Sequence, residues 1–162
     1  MQINSASSEI VARPWFSRLE LAGPTLLRLA LGIVYLHFGF LKFYPDLSPA
    51  ELLATQTVMN LSGQFLDAEQ SLLLLAIFET LIGLGFLFHL FPRIMFALFT
   101  IHMLGTFAPL FLLPEFAFKI APFAPTLEGQ YILKNIVFLA AGWTVLLPDA
   151  FSNRSATSGA DR

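Results

Sequence analysis

The stretch SLLLLAIFETLIGLGFLFHLF, residues 71–91, decides the fold of this chain. It is long enough to cross a bilayer as a helix, which takes about 20 apolar residues. Yet it carries a carboxylate, Glu79, well inside its apolar run. An ionised side chain at the centre of a span costs about 2.5–3.5 kcal/mol on insertion scales, so it faces a protein interior and not lipid. One such segment therefore implies others packed around it. Three more follow the same pattern, at residues 23–44, 94–113 and 129–147, with Arg28, Lys42, His102 and Lys134 within or just inside them. The fold expected is an all-α bundle of four transmembrane helices.

Composition agrees. Charged residues make up 12% of the chain, about half the share in an average soluble domain. The 162 residues leave room for one bundle and no separate soluble domain. Phe is used 18 times and Cys not at all, which excludes thiolate nucleophiles, CxxC redox pairs and iron–sulfur ligation by the chain itself. A net charge of −2 with no basic stripe argues against nucleic acid as a partner, and no nucleotide, flavin or nicotinamide fingerprint is present.

The expected organisation is an N-terminal segment over residues 1–22, a membrane domain over 23–148 and a polar tail over 149–162. Arg13, Pro14, Trp15, Phe16 and Arg18 mix cations with aromatics, as in a short helix lying among headgroups. The apolar run that follows is too long for a cleaved signal peptide and reads as an anchor that stays in place. Loop charges set the orientation. The side holding both termini and the 91–94 turn carries Arg13, Arg18, Arg93, Arg154 and Arg162. The connections at 45–70 and 114–128 hold six carboxylates and a single cation, Lys119. The bias places both termini in the cytoplasm.

The two outer connections differ. Ser48-Pro49-Ala50-Glu51 has the residues of a helix start, and Leu52, Leu53, Thr57, Val58, Leu61 and Phe65 recur behind it as one apolar face of a short amphipathic helix. Residues 114–126 are too rich in Pro for a helix and too apolar for a solvated linker. They are expected to fold over the bundle mouth as a Pro/Phe-rich lid, either gating a site or simply covering it.

Helical spacing places Arg28, Gly32, Tyr35, Gly39 and Lys42 on one stripe, with His37 opposite. Glu79, Gly83 and Phe86 align in the second span, and His102, Thr106 and Pro109 in the third. In the fourth, Gln130, Tyr131, Lys134, Phe138 and Ala141 share a face, with Asn135 beside it. At matching depths Lys42 and Lys134 could both reach Glu79, while Arg28 and His89 belong to the other end. The candidate binding residues are Lys42, Glu79, His102, Tyr131, Lys134 and Asn135. No catalytic group and no metal site is assigned. No second histidine sits at the depth of His102 on a neighbouring inward face, which argues against bis-histidine haem ligation. Two readings of the cluster stay open: an ion-pair network that fixes helix register, or a site whose Phe-rich walls suit the flat headgroup of a quinone or a lipid.

Leu27-Arg28-Leu29-Ala30-Leu31-Gly32 leading to Phe38-Gly39-Phe40-Leu41-Lys42-Phe43 resembles the first-helix signature of the DoxX-like family of bacterial membrane proteins. Glu79-Thr80-Leu81-Ile82-Gly83 is similar to its Glu-x-x-x-Gly pattern, and Gly129 through Lys134-Asn135 to its Gly-x-x-x-x-Lys-Asn motif. The resemblance runs over residues 24–147. It implies a four-helix membrane bundle in which Lys42, Glu79, Lys134 and Asn135 are motif positions. Some members of that family are subunits of a thiosulfate:quinone oxidoreductase, others accompany redox or detoxification enzymes, and distant relatives assist membrane-protein assembly. The expectation is an accessory subunit of a plasma-membrane redox system, in contact with lipid and holding a quinone or lipid between its helices. A structural or assembly subunit docked to another membrane protein, or to further copies of itself, is the alternative. A small-solute or proton pathway is a third class, disfavoured because the polar residues cluster in the outer half.

Overall fold

Hydropathy marks the spans, and the turns between them show why each begins and ends where it does. The computed structural model describes the backbone of residues 14–151 and the side chains from residue 22 onward. The expectations for the extreme N-terminus and for the polar C-terminal tail beyond Phe151 lie outside the described residues.

Helix α1 runs from Pro14 to Leu41, so the segment expected as a separate interfacial helix is continuous with the first span. Helix α2 covers Glu51–Leu61, α3 covers Ala68–Phe88, α4 covers Pro92–Phe107 and α7 covers Leu127–Phe151. Between α4 and α7 lie two one-turn helices, α5 at Pro109–Leu112 and α6 at Pro114–Ala117. A small antiparallel hairpin follows, β1 at Phe118–Ile120 paired with β2 at Ala124–Pro125.

Helix α3 starts on a full capping box. The Asp67 carboxylate accepts from the Gln70 backbone N–H at 2.8 Å, and the Gln70 side chain accepts from the Asp67 N–H at 3.2 Å. It ends at His89, left-handed at φ 54, and Pro92 occupies the first turn of α4. Pro109, with no N–H to donate, separates α4 from α5 near the outer end of the third span.

Two expectations for the connections change. The amphipathic helix begins at Glu51 behind a left-handed Ala50, and Ser48 does not cap it. Its inward face is Leu53, Thr55 and Thr57, while Leu52, Leu61 and Phe65 are exposed. The threonines tolerate burial because their hydroxyls donate back to carbonyls one turn earlier, Thr57 to Leu53 at 2.6 Å and Thr55 to Glu51 at 2.9 Å. In the lid, Pro114 opens a helical turn because Pro is tolerated at the first helical position. The chain entering the lid is anchored by Leu113, which packs with Leu53 and Ile132.

Helix α1 packs along α3, α4 along α7, and α1 also meets α7, which closes a four-helix ring. Close approach of α1 and α3 depends on two glycines. A Cβ on Gly83 would stand 2.5 Å from the Leu36 nitrogen, and one on Gly39 2.7 Å from the Thr80 nitrogen. Leu31, Tyr35, Ile82, Phe86, Met95, Phe99, Met103, Val145 and Leu146 fill the interior. Outside, Leu26, Leu81, Ile101, Leu104, Phe111 and Val137 are exposed on all sides. That much exposed apolar surface is incompatible with a soluble monomer, and four helices are long and apolar enough to cross a membrane. The chain is a multi-pass membrane protein whose outer faces contact lipid.

Candidate functional site

Three of the expected residues come together at one end of the ring. Lys42 follows the last residue of α1, where the helix tightens and the Lys42 N–H donates to the Gly39 carbonyl at 3.2 Å. That turn aims its ammonium inward. Nζ donates to Glu79 Oε2 of α3 at 2.7 Å and lies 3.4 Å from the Phe38 carbonyl. The second oxygen, Oε1, is 3.1 Å from His102 Nε2 of α4. The other ring nitrogen, Nδ1, is 3.1 Å from the Tyr35 hydroxyl, back on α1.

The partners fix the proton positions. A carboxylate only accepts, so His102 Nε2 carries the hydrogen toward Glu79, and in the neutral ring Nδ1 accepts from the Tyr35 hydroxyl. Tyr35, His102, Glu79 and Lys42 thus form one chain of hydrogen bonds linking three spans. All four are buried, none more than 8% exposed. Successive bonds of this kind polarise one another in a low-dielectric interior. Within the chain the Lys42 ammonium and the Glu79 carboxylate offset one another's charge.

The surroundings are aromatic. The Tyr35 ring meets Phe86 and Phe99 at 6.1 and 5.8 Å between centroids, and the His102 ring meets Phe78 at 5.8 Å. Between Tyr35 and Arg28 the core is built from Leu31, Ile82, Phe86, Phe99, Val145 and Leu146. Arg28 serves the opposite end, where its guanidinium donates to the carbonyls of Phe86 and Leu87 in the last turn of α3. Arg93 does the same for α7, with Nε donating to the Ala150 carbonyl at 2.8 Å. Both place a cation at the negative end of a helix dipole. His89 and Asp149, 2.8 Å apart and half exposed, tie the same two helix ends together.

The fourth span departs from expectation. Tyr131 and Lys134 are exposed and Asn135 is half-buried; Lys134 does not reach Glu79 but lies over the Tyr131 ring, 5.2 Å from its centroid. Packing decides this rotation. Gly129 faces the Ala117 carbonyl and Gly142 the Phe99 ring, each too closely for any Cβ, so the Gly129, Ile132, Gly142, Val145 and Leu146 face turns inward. Polarity alone pointed to the wrong side of this helix. Tyr35 was missed for another reason. It lay on the inward stripe, but its partner His102 is 67 positions away, and no local spacing signals that bond.

A cleft of about 410 Å³ opens between α2 and the lid, lined by Gln56, Asn60, Gln64, Glu115 and Phe116 among others. None of the four residues of the buried chain lines it.

The family model described as DoxX matches residues 23–113, more than half of the 162 residues. The match covers α1 from residue 23 onward through α5 and therefore Tyr35, Lys42, Glu79 and His102, but not α7. No curated protein and no solved structure matched the chain.

Proposed function

The chain belongs to the DoxX family, and on that premise we propose that it is an accessory subunit of a redox system in the bacterial plasma membrane, with a quinone headgroup held at the outer end of the buried chain. The observation that carries the reading is the Tyr35–His102–Glu79–Lys42 series of hydrogen bonds. Four polar groups in an apolar interior are costly to retain, and a ligand that needs them is one reason to keep them. Glu79 has both oxygens occupied and His102 both nitrogens. Lys42 has three N–H donors, of which Glu79 and the Phe38 carbonyl use two. The third is left for a quinone carbonyl. Phe38 and Phe43, exposed beside Lys42 in sequence, offer flat apolar contacts for the ring. The Lys/Arg bias of the loops supports cytoplasmic termini, which puts this end toward the periplasmic leaflet.

Purified protein warmed with and without a short-chain ubiquinone tests the reading. Ligand at a hundredfold excess over its Kd adds about 2.7 kcal/mol of stability, so the unfolding midpoint rises on addition. An unchanged midpoint at saturating quinone removes the ligand from the account.

A second reading has its own support. Every member of the chain already has a partner inside it, as in a network that fixes helix register and holds the bundle for docking to another membrane subunit. That reading predicts no quinone response and a protein that co-purifies with a partner from its own membrane.

A further inference from the structure

We propose that Lys134, backed by the Tyr131 ring, forms a headgroup site for an anionic phospholipid on the lipid-facing side of α7. Lys134 lies seven residues past Leu127, where α7 begins, which is about 10 Å along the axis from the outer end of a helix long and apolar enough to cross a membrane. It is exposed, and among the described residues no carboxylate pairs with it. A bare ammonium at that depth is unfavourable unless it reaches the interface or meets an anion.

Geometry gives the direction. Side chains on a helix tilt toward its N-terminus, and the N-terminus of α7 is its outer end. Lys134 follows that tilt, so its ammonium sits over the Tyr131 ring one turn closer to the surface. The stem crosses the apolar belt and the cation snorkels toward phosphate depth. Tyr131, 55% exposed, sits where aromatic side chains favour the membrane–water boundary. Leu127, Leu133 and Val137 are exposed around the pair and suit acyl chains. Glu128 lies roughly 120° around the helix from Lys134 and does not oppose a phosphate there.

Charge complementarity and side-chain size together select lipid over a partner helix. Helix–helix contacts in membranes favour small residues that let backbones approach, whereas Tyr131, Leu133 and Val137 beside Lys134 are all large. The site is independent of the quinone reading, since Lys134 is not part of the buried chain.

The test is native mass spectrometry of the full chain from mixed micelles holding equal amounts of dioleoylphosphatidylglycerol and dioleoylphosphatidylcholine. Wild type is expected to retain the anionic lipid about fivefold more than the zwitterionic one, the order set by one lysine near an anionic surface. Lys134→Gln equalises the two, Lys134→Arg keeps the preference, and Lys119→Gln, at the other exposed outer cation, leaves it intact. Unchanged unfolding midpoints show that the variants remain folded. The proposal is overturned if wild type shows no preference, if the preference survives Lys134→Gln, or if Lys119→Gln abolishes it.

Discussion

Glu79 holds its position through two bonds of different kind, a charge-assisted one to Lys42 at 2.7 Å and one to the His102 ring at 3.1 Å. Removing one member of a buried pair costs more than removing both, because the survivor keeps an uncompensated charge. Glu79→Ala is therefore expected to lower the unfolding free energy in detergent by about 3–5 kcal/mol. Adding Lys42→Met to that variant should return part of the loss, and a thermally silent Glu79→Ala would show that the pair is not formed. At this scale the sequence was informative where one helix sufficed. The stripe of Gly32, Tyr35, Gly39 and Lys42 is buried as its spacing indicated. It was uninformative where two helices had to be docked first: neither the Tyr35–His102 bond nor the separation of Lys134 from Glu79 follows from spacing within a helix.

Among the elements, glycine does two opposite jobs that can be told apart by substitution. At Gly83 a methyl group would press on the Leu36 backbone of α1, so Gly83→Ala should lower stability by about 1–3 kcal/mol through overpacking. At Gly105 in α4 nothing lies within 4 Å of an added Cβ, so Gly105→Ala should raise helix stability by as much as about 1 kcal/mol. Paired thermal melts read both signs, and a stabilising Gly83→Ala would contradict the packing of α1 on α3. The same close contacts explain what the sequence hid in α7. Gly129 and Gly142 set its rotation through neighbours on α6 and α4, and those neighbours are not visible from its own pattern of polar and apolar residues. The lid shows the same limit: Leu113 just before it packs with Leu53 and Ile132, and the Ala117 carbonyl within it lies against Gly129 of α7, partners that its own sequence does not reveal.

Over the whole molecule the two ends of the bundle are built differently. At one, Arg28 and Arg93 cap helix ends and His89 joins Asp149; at the other, the buried chain sits beneath α2 and the lid. The four spans were legible because hydropathy over 20 residues is a strong signal. Which end faces outward is a matter of loop charge and is testable directly, because the chain has no native cysteine to remove. A single Cys in place of exposed Phe65, between α2 and α3, should react with an impermeant maleimide added to intact spheroplasts. One in place of exposed Phe91, in the α3–α4 turn, should react only after lysis; the reverse pattern would invert the bundle. The functional account rests finally on whether the outer end of the buried chain holds a quinone. Quinone extracted from the gently purified protein and counted per chain answers that. One quinone per chain in wild type, lost from the charge-free Lys42→Gln/Glu79→Gln variant with its fold retained, is the predicted result. Wild-type protein carrying lipid but no quinone, with the same content in the variant, would contradict it and leave the chain as a network that holds helices in register.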